Sequence, residues 1–303
     1  LLTFTDDTVQ YWSDANDITG LVRAGDILWA ATPGGVVRWD TRGGHRLFAD
    51  ADGLASRAIS GIALDGDGHV WVGYADVTTW SEYDGDKWHS YARREDAVEA
   101  RYDAMLHARR YDPRLWASRA GSDWLWLPTE DGRLRSYDGE RWRTYGEYEG
   151  VTRGTWLVAT SRDARVWGVG RGVSTAEEGD RWWDDHTLFS SISDRDWITD
   201  IADDDGGLWL TFASPRGQGG GACRLDSAQN RWQGYVNRLN PLIPKDVHGV
   251  EVTGDGDVWL CGSNGIAYRS PGRPWKALYL EGLDVQCFVR GAQGPVWPGT
   301  PRG

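Results

Sequence analysis

The stretch from Ile59 to Tyr91, ISGIALDGDGHVWVGYADVTTWSEYDGDKWHSY, decides the fold because other segments of the chain repeat its layout. Its short apolar runs are separated by turn signals such as Asp65-Gly-Asp-Gly68, so the stretch predicts four short antiparallel strands. A single sheet of this size leaves both faces in contact with water and needs copies of itself to pack against. The sequence therefore predicts a repeat protein whose unit is one sheet.

An aliphatic residue followed by tryptophan marks the copies at seven positions along the chain. The tryptophans of this dipeptide are Trp29, Trp71, Trp126, Trp167, Trp209, Trp259 and Trp297. Their spacing is close to the ~40 to 50 residues that one propeller blade occupies. We therefore predict an all-β fold, a seven-bladed β-propeller of four-stranded antiparallel blades that forms a single domain over residues 1–303.

The two ends of the chain complement each other. The seventh copy stops soon after Trp297, whereas residues 1–12, LLTFTDDTVQYW, form two strands without an inner pair before them. We predict that the N-terminal strands complete the C-terminal blade and close the ring. Closure would remove the exposed edges that an open sheet offers to other chains.

Charge and composition exclude some classes of partner. The net charge is -12, which argues against a nucleic-acid partner. No run of ~18 apolar residues occurs, so no membrane insertion is expected. Cys223, Cys261 and Cys287 are an odd set, which we interpret as buried core residues rather than a disulfide or metal site. Unpaired cysteines favour a reducing, cytoplasmic compartment.

One segment resembles a known family. Residues 48–73, FADADGLASRAISGIALDGDGHVWVG, resemble the two-component regulator propeller repeat, with its DGL-x-S connection, its Asp-x-x-Gly turn and its Val-Trp-Val-Gly strand. The streptogramin-inactivating lyases are similar around Ile198 to Thr211. The first resemblance implies a ligand-sensing or partner-binding module, a periplasmic location, and membership of a larger signalling or effector assembly. The compartment stays open, because the cysteines point the other way.

Two connections break the repeat, and both are predicted on the top face, which we define as the face where the inner strand of each blade begins. Residues 92–113 predict one short helix, with Asp96 able to cap its start. The apolar face of this helix consists of Val98, Tyr102, Met105 and Leu106. It either seals a blade interface, covers a ligand as a lid, or docks a partner. Residues 214–222, SPRGQGGGA, lack the lysine of a phosphate-binding loop and predict a mobile connection.

A column of basic residues precedes the inner strands. Counting back fourteen residues from the inner tryptophan reaches Arg57, Arg153, Arg195 and Lys245 in four blades, and Arg114 lies two residues off the column in a fifth. We predict these cations at the upper mouth of the central channel, where they would focus potential on an anion. The alternative, ordinary basic residues of surface loops, stays open.

Two further side chains are predicted beneath these cations. Trp156 could stack on a ligand or pack between blades, and His248 is the best titratable candidate, with Asp200 and Glu251 on neighbouring inner strands. No metal-spaced cluster of His and Cys and no nucleophile elbow occurs. We assign no catalytic residue, no metal ligand and no cofactor, and we interpret aspartates such as Asp65 as turn residues.

The sequence thus favours a non-catalytic binding or sensor propeller. It would recognise an anionic small molecule, or an acidic segment of a protein partner, at the top of the channel. One alternative is a propeller lyase or hydrolase whose active site at the channel mouth uses His248. Another is a protein-interaction scaffold that docks its partner through residues 92–113.

Overall fold

The computed structural model describes residues 2–5, 8–11, 17–119, 121–181, 183–186, 197–204, 207–214, 220–290 and 296–302. The chain divides into two compact units. The first unit comprises Leu1–Ser118 and Gln286–Gly303, and the second comprises Arg119–Val285.

The first unit begins with a hairpin and two complete blades. The hairpin consists of β1 (Leu2–Thr5) and β2 (Thr8–Tyr11). Blade 1 consists of β3 (Gly20–Ala24), β4 (Ile27–Thr32), β5 (Gly35–Asp40) and β6 (His45–Phe48). Blade 2 consists of β7 (Ile59–Leu64), β8 (Val70–Tyr74), β9 (Trp80–Tyr83) and β10 (Trp88–Tyr91), and α1 (Arg94–Leu106) follows it. Within each blade the strands pair antiparallel in chain order.

The second unit contains four sheets of the same kind. Blade 3 consists of β11 (Leu125–Pro128), β12 (Leu134–Tyr137) and β13 (Trp142–Tyr145). Blade 4 consists of β14 (Leu157–Thr160), β15 (Arg165–Val169), β16 (Val173–Glu177) and β17 (Asp184–His186). Blade 5 consists of β18 (Trp197–Asp204), β19 (Gly207–Ala213), β20 (Gly221–Asp226) and β21 (Arg231–Val236). Blade 6 consists of β22 (Val247–Val252), β23 (Val258–Arg269) and β24 (Lys276–Asp284).

The all-β propeller class with a single α-helix is confirmed for the described residues, but the prediction of seven four-stranded blades is wrong. Six sheets have three or four strands. The expected seventh blade consists of two separate hairpins, β1 with β2, and β25 (Cys287–Arg290) with β26 (Val296–Gly299). Strand β1 lies beside β26, yet no ladder joins the hairpins among the described residues, so the predicted closure through one shared sheet is also wrong. Pro298 lies inside the four-residue β26 and deprives that short strand of a backbone donor.

Blades 3 and 6 depart from four strands for different reasons. In blade 3 the described strands begin with the Leu125-Trp126 dipeptide, which marks the second strand elsewhere, so the inner strand is the one that is missing. The residues before it turn instead, since the backbone N–H groups of Leu115 and Trp116 both donate to the carbonyl of Asp112. In blade 6, β23 runs on through a bend at Asn264 and pairs with β22 before it and with β24 after it.

Tryptophans of the second strands form the core of the blades. Trp71, Trp126, Trp167 and Trp209 are all less than 2% exposed. In blades 2 and 5 the indole N–H donates to an aspartate of the preceding turn, from Trp71 to Asp65 and from Trp209 to Asp204, at 2.8 Å in each case. These bonds satisfy a donor that would otherwise be buried without a partner. The turn interpretation of Asp65 therefore gains a specific structural role.

The structure also describes the three cysteines and tests for membrane-crossing helices. Cys223 and Cys261 are buried within strands as predicted, Cys287 is partly buried, and no disulfide joins these three described residues. In the described parts of the chain, no helix combines the length and the apolar character that crossing a membrane requires.

Replacing Asp65 with alanine is expected to lower the free energy of unfolding by about 2 to 4 kcal/mol. The change removes the acceptor of the Trp71 indole N–H and of the His69 backbone N–H, both at 2.8 Å. Urea unfolding followed by tryptophan fluorescence measures the effect. Asp67→Ala, at an exposed position of the same turn, is the matched control. Equal destabilisation by both changes would contradict this role of Asp65.

Candidate functional site

A preformed cavity of 220 Å³ lies in the second unit, between blades 5 and 6. Its walls come from Asn237, from residues 241–245 of the connection into β22, from residues 263–266 at the bend of β23, and from residues 277–279 of β24. We call it the blade-6 pocket. Lys245, one of the cations predicted from the sequence, is one of its lining residues and lies two positions before β22.

Hydrogen bonds within the connection hold the walls in place. The side-chain amide of Asn237 donates to the carbonyl of Ile243 at 2.5 Å, and the phenol of Tyr279 donates to the carbonyl of Pro241 at 3.1 Å. Pro241 and Pro244 further restrict the backbone of this segment. The pocket is therefore preorganised, which reduces the ordering cost of binding.

The lining is mainly apolar, and its outer margin is unusually exposed. Ile243 and Ile266 are buried at 0% and 2% exposure and form part of the apolar wall. Leu278 and Tyr279, on β24, are 41% and 61% exposed. Large apolar side chains in contact with water beside a concave site are typical of a binding surface.

Lys245 supplies positive charge at this pocket. Its backbone carbonyl accepts a hydrogen bond from Gly220, which fixes the chain, while its side chain is exposed and makes no ion pair within the described part of the chain. The adjacent Asp246 makes no ion pair with Lys245 among the described residues, and its carboxylate accepts the backbone N–H of Ser214 at 3.1 Å.

His248 lies beside the pocket and is held by an aspartate that the sequence did not suggest. A β-bulge between Val247 and Gly249 leaves His248 without a partner on β23. Its Nε2 is 2.9 Å from the carboxylate of Asp284. That hydrogen bond holds the pKa of Asp284 below its ordinary value, with a smaller contribution from a hydrogen bond to Ser263, a pocket residue. His248 and Asp284 are thereby connected to the pocket wall.

Neither of the acid/base partners predicted for His248, Asp200 and Glu251, contacts it among the described residues. Asp200 accepts the backbone N–H groups of Ile201 and Val250 at 2.9 and 3.0 Å, so its carboxylate organises the inner strands. No contact between Glu251 and His248 occurs among those described. Asp284 was missed because it lies far along β24, and only the bend of that strand brings it next to His248.

The other predicted cations pair with carboxylates of their own neighbourhood. Arg57 Nε is 3.0 Å from Asp50, and Arg114 makes two hydrogen bonds to Asp112 at 2.8 and 2.6 Å. Arg153 lies 3.7 Å from Glu147. Asp50 and Glu147 occupy the same place in two short 3-10 helices, Asp50–Asp52 and Glu147–Glu149. Arg195 lies outside the described residues, and a common site for these cations stays a prediction.

Exposed indoles mark the beginnings of two neighbouring inner strands. Trp156 precedes β14 and is 42% exposed, so its ring is available for stacking. Trp197 is the first residue of β18 and is 68% exposed, and no binding role was predicted for it from the sequence. The sequence signal for Trp197 was a tryptophan at the solvent end of an inner strand.

Of the predicted connection 214–222, residues 215–219 lie outside the described residues.

Blade 2 contains three side chains that could ligate a metal ion. Asp65, His69 and Glu82 bring one ligand atom each within 4.8 Å of one another. Protein groups already engage them: His69 Nδ1 is 2.7 Å from Glu82, the Tyr91 phenol donates to Glu82 at 2.7 Å, and Arg101 Nε is 3.0 Å from the same carboxylate. A guanidinium in this place competes with a metal cation. We assign the cluster a structural role.

The helical insertion packs along blade 2 rather than standing apart from it. Of its predicted apolar face, Val98, Met105 and Leu106 are buried and Tyr102 is partly buried. The helix begins at Arg94, and Asp96 pairs with Arg93 instead of capping. It is kinked at Arg101, the residue that reaches Glu82, and near its end the Ala104 carbonyl accepts the backbone N–H of Gly66 at 2.8 Å. Gly66 belongs to the turn at the opposite end of β7 from Arg57.

Comparisons with known proteins identify the fold. No family model and no curated protein sequence matches the chain. Among solved structures, it is similar to the extracellular domain of the hybrid two component system BT4673 from B. thetaiotaomicron, at 13% identity and a TM-score of 0.70. That match covers 97% of this chain and 38% of the other, so the chain spans well under half the length of this neighbour.

Two further neighbours have nearly the length of this chain. A catalytically inactive variant of virginiamycin B lyase from Staphylococcus aureus, with Quinupristin, matches at 11% identity and a TM-score of 0.66, covering 94% of this chain and 92% of the other. YCF48 bound to D1 peptide matches at 15% identity and a TM-score of 0.59, covering 96% and 92%. Both resemblances inferred from the sequence are therefore present among the neighbours. At these identities the likeness establishes a shared propeller fold.

His248→Ala is expected to raise the pKa of Asp284, because the histidine is the main cause of its lowered value. In the unaltered protein, the stability contributed by Asp284 is present above the unfolded-state pKa of about 3.9 and is lost as the pH falls through the lowered folded-state pKa. A carboxyl carbon-13 NMR titration measures the shift. His89→Ala is the control, since His89 pairs with Asp84. An unchanged pKa of Asp284 in His248→Ala would refute the coupling.

Proposed function

We propose that the chain is a non-catalytic binding module of the propeller sensor type, and that it recognises an anionic ligand at the blade-6 pocket. The observation that carries the proposal is Lys245, an exposed cation that lines a preformed apolar cavity and has no acidic partner within the described residues. An anion placed there gains a charge-assisted contact together with apolar burial.

The charge balance of the protein gives the pocket its selectivity. With a net charge of -12, the protein as a whole disfavours anions, so a local cation at a concave site favours an anion there. Exposed Arg238 and Lys276 lie on the two segments that border the pocket. Exposed charges are screened by salt, and the apolar walls must therefore supply much of the affinity.

The neighbours support a binding role. Their fold occurs in an extracellular domain of a two component system, in a lyase solved with Quinupristin, and in YCF48 bound to D1 peptide. We propose that this chain likewise serves as the recognition domain of a larger signalling or effector assembly. Arg57, Arg114, Arg153, Arg195 and Trp156 are proposed as further ligand contacts on the blades that carry them.

Phenylacetate and its neutral isostere phenylacetamide test the anion preference. We expect phenylacetate to shift the backbone amide signals of Ile243 and Ile266 with a Kd of about 1 to 10 mM, as its ten heavy atoms would allow, and phenylacetamide to bind several-fold more weakly. Lys245→Glu should abolish this preference because it reverses the charge at the pocket. NMR titration provides the measurement.

Lys87→Glu is the matched control, because Lys87 is an exposed lysine that does not line the pocket. It makes the same charge change and should leave the preference intact. Equal affinity for the two probes, or a preference that survives Lys245→Glu, would contradict the proposed function.

A propeller lyase or hydrolase is the second candidate, favoured by the contact of His248 with Asp284 next to the pocket. A carboxylate that holds one imidazole nitrogen leaves the other free to act as a general base. Incubation with quinupristin, followed by liquid chromatography and mass spectrometry, tests this candidate. Loss of quinupristin that His248→Ala abolishes would support it. Quinupristin that stays intact, or is lost equally with the variant, would exclude His248-dependent turnover of this compound.

A further inference from the structure

We infer that the ligand of the blade-6 pocket is a linear peptide segment of a partner protein, which inserts one bulky apolar side chain and places an adjacent Asp or Glu at Lys245. This inference rests on the proposed function of the pocket and narrows its ligand class. Four features of the described residues support it: the volume of the cavity, the strand at its margin, the distribution of charge and the rigidity of its walls.

The volume of the cavity selects a side chain over a whole small molecule. Sites that enclose drug-sized ligands or cofactors measure about 300 to 1,000 Å³. The blade-6 pocket measures 220 Å³ and is lined by groups such as Ile243, Ile266 and Ala277. It therefore suits a single leucine-sized to phenylalanine-sized group, and the remainder of the ligand must lie outside it.

The margin of the pocket offers the remainder of a peptide a place to lie. Residues 277–279 belong to β24, which is the last strand of its sheet and pairs only with β23 among the described strands. An edge strand exposes backbone donors and acceptors along its outer side, and an extended peptide can add to it as a further strand. The exposed Leu278 and Tyr279 extend the apolar surface along the same strand. A compact small molecule would make no use of this edge.

Positive charge on the segments that border the pocket favours a peptide with an acidic residue. Lys245 lines the pocket, and Lys276 begins β24 with its ammonium 5.7 Å from the centroid of the Tyr268 ring. Both lysines are exposed, and neither makes an ion pair with Asp246 or another acid among the described residues. An acidic residue next to the apolar anchor meets a complementary charge here, whereas the net charge of -12 disfavours its binding elsewhere on the surface.

The rigidity of the walls makes a short peptide sufficient. The bond from Tyr279 to Pro241 already ties β24 to the connection, and the bond from Asn237 to Ile243 fixes the connection internally. A linear peptide loses conformational freedom on binding, so affinity from a short contact depends on a partner that needs no rearrangement.

Selection from a phage library of random linear heptapeptides on the intact chain tests the inference. We expect enriched sequences to carry Leu, Ile, Met, Phe or Trp within two positions of Asp or Glu. The most enriched sequence, synthesised with a fluorescent label, should bind in fluorescence anisotropy, and Lys245→Glu should weaken it at least tenfold. Lys87→Glu should bind it as the unaltered chain does.

Two variants examine the pocket and its edge separately. Ala277→Phe fills the cavity and should weaken the peptide at least tenfold, with its melting temperature measured to confirm folding. Leu278→Ser changes an exposed side chain, which leaves folding intact, and should weaken the same peptide at least threefold. Absence of enrichment, enriched sequences without the apolar and acidic pair, or a peptide insensitive to Lys245→Glu and Leu278→Ser would overturn the inference.

The phenylacetate titration separates this inference from the function on which it rests. If phenylacetate retains its preference for the pocket while no peptide is selected, the anion-binding function stands and the peptide ligand is excluded. If neither probe binds, both proposals fail.

Discussion

The burial of a second-strand tryptophan beside its sheet is the interaction on which the blades depend. A tryptophan fills much of the space beside its sheet, and its N–H is stabilised where a protein partner replaces the excluded water. In blades 2 and 5, Asp65 and Asp204 supply that partner and so join the first strand to the second. In blade 5 the bond forms a small network, since the same Asp204 carboxylate also accepts two hydrogen bonds from Arg224.

Blade 2 contains a larger buried hydrogen-bond network, centred on the carboxylate of Glu82. Glu82 is fully buried, and it is retained there by His69, Tyr91 and the Arg101 guanidinium of the inserted helix. A buried carboxylate is costly unless it is paired and hydrogen-bonded, so the insertion completes the blade electrostatically as well as covering it. The kink at Arg101 falls at the residue that makes this contact. A segment that could have been a free docking helix is thus largely committed to blade 2.

The connections between strands need not bury tryptophans or pair buried charges, and the candidate site lies at one of these connections. The repeat needs turns of defined geometry, whereas the segment from Asn237 to Lys245 can vary in length and polarity. Its prolines and internal hydrogen bonds turn it into a rigid wall, and the bend of β23 supplies the opposite side. The result is an apolar cavity with a cation at its margin on an otherwise acidic protein. Recognition by this protein is accordingly expected at a connection rather than in the tryptophan-rich strands.

The sequence by itself determined the all-β repeat, the four strands of blade 2 and the presence of a helix after that blade, because alternating apolar residues and glycine turns act over a few residues. It also indicated Lys245 and His248. It did not determine the number of blades, since Trp297 carries the same dipeptide as a complete copy while the short β26 pairs only with β25 among the described strands. Nor did it indicate Asp284 as the partner of His248, or Glu82 as the centre of a buried network. Only the tertiary structure decided these, because they depend on contacts between residues far apart in the chain, which local patterns do not record.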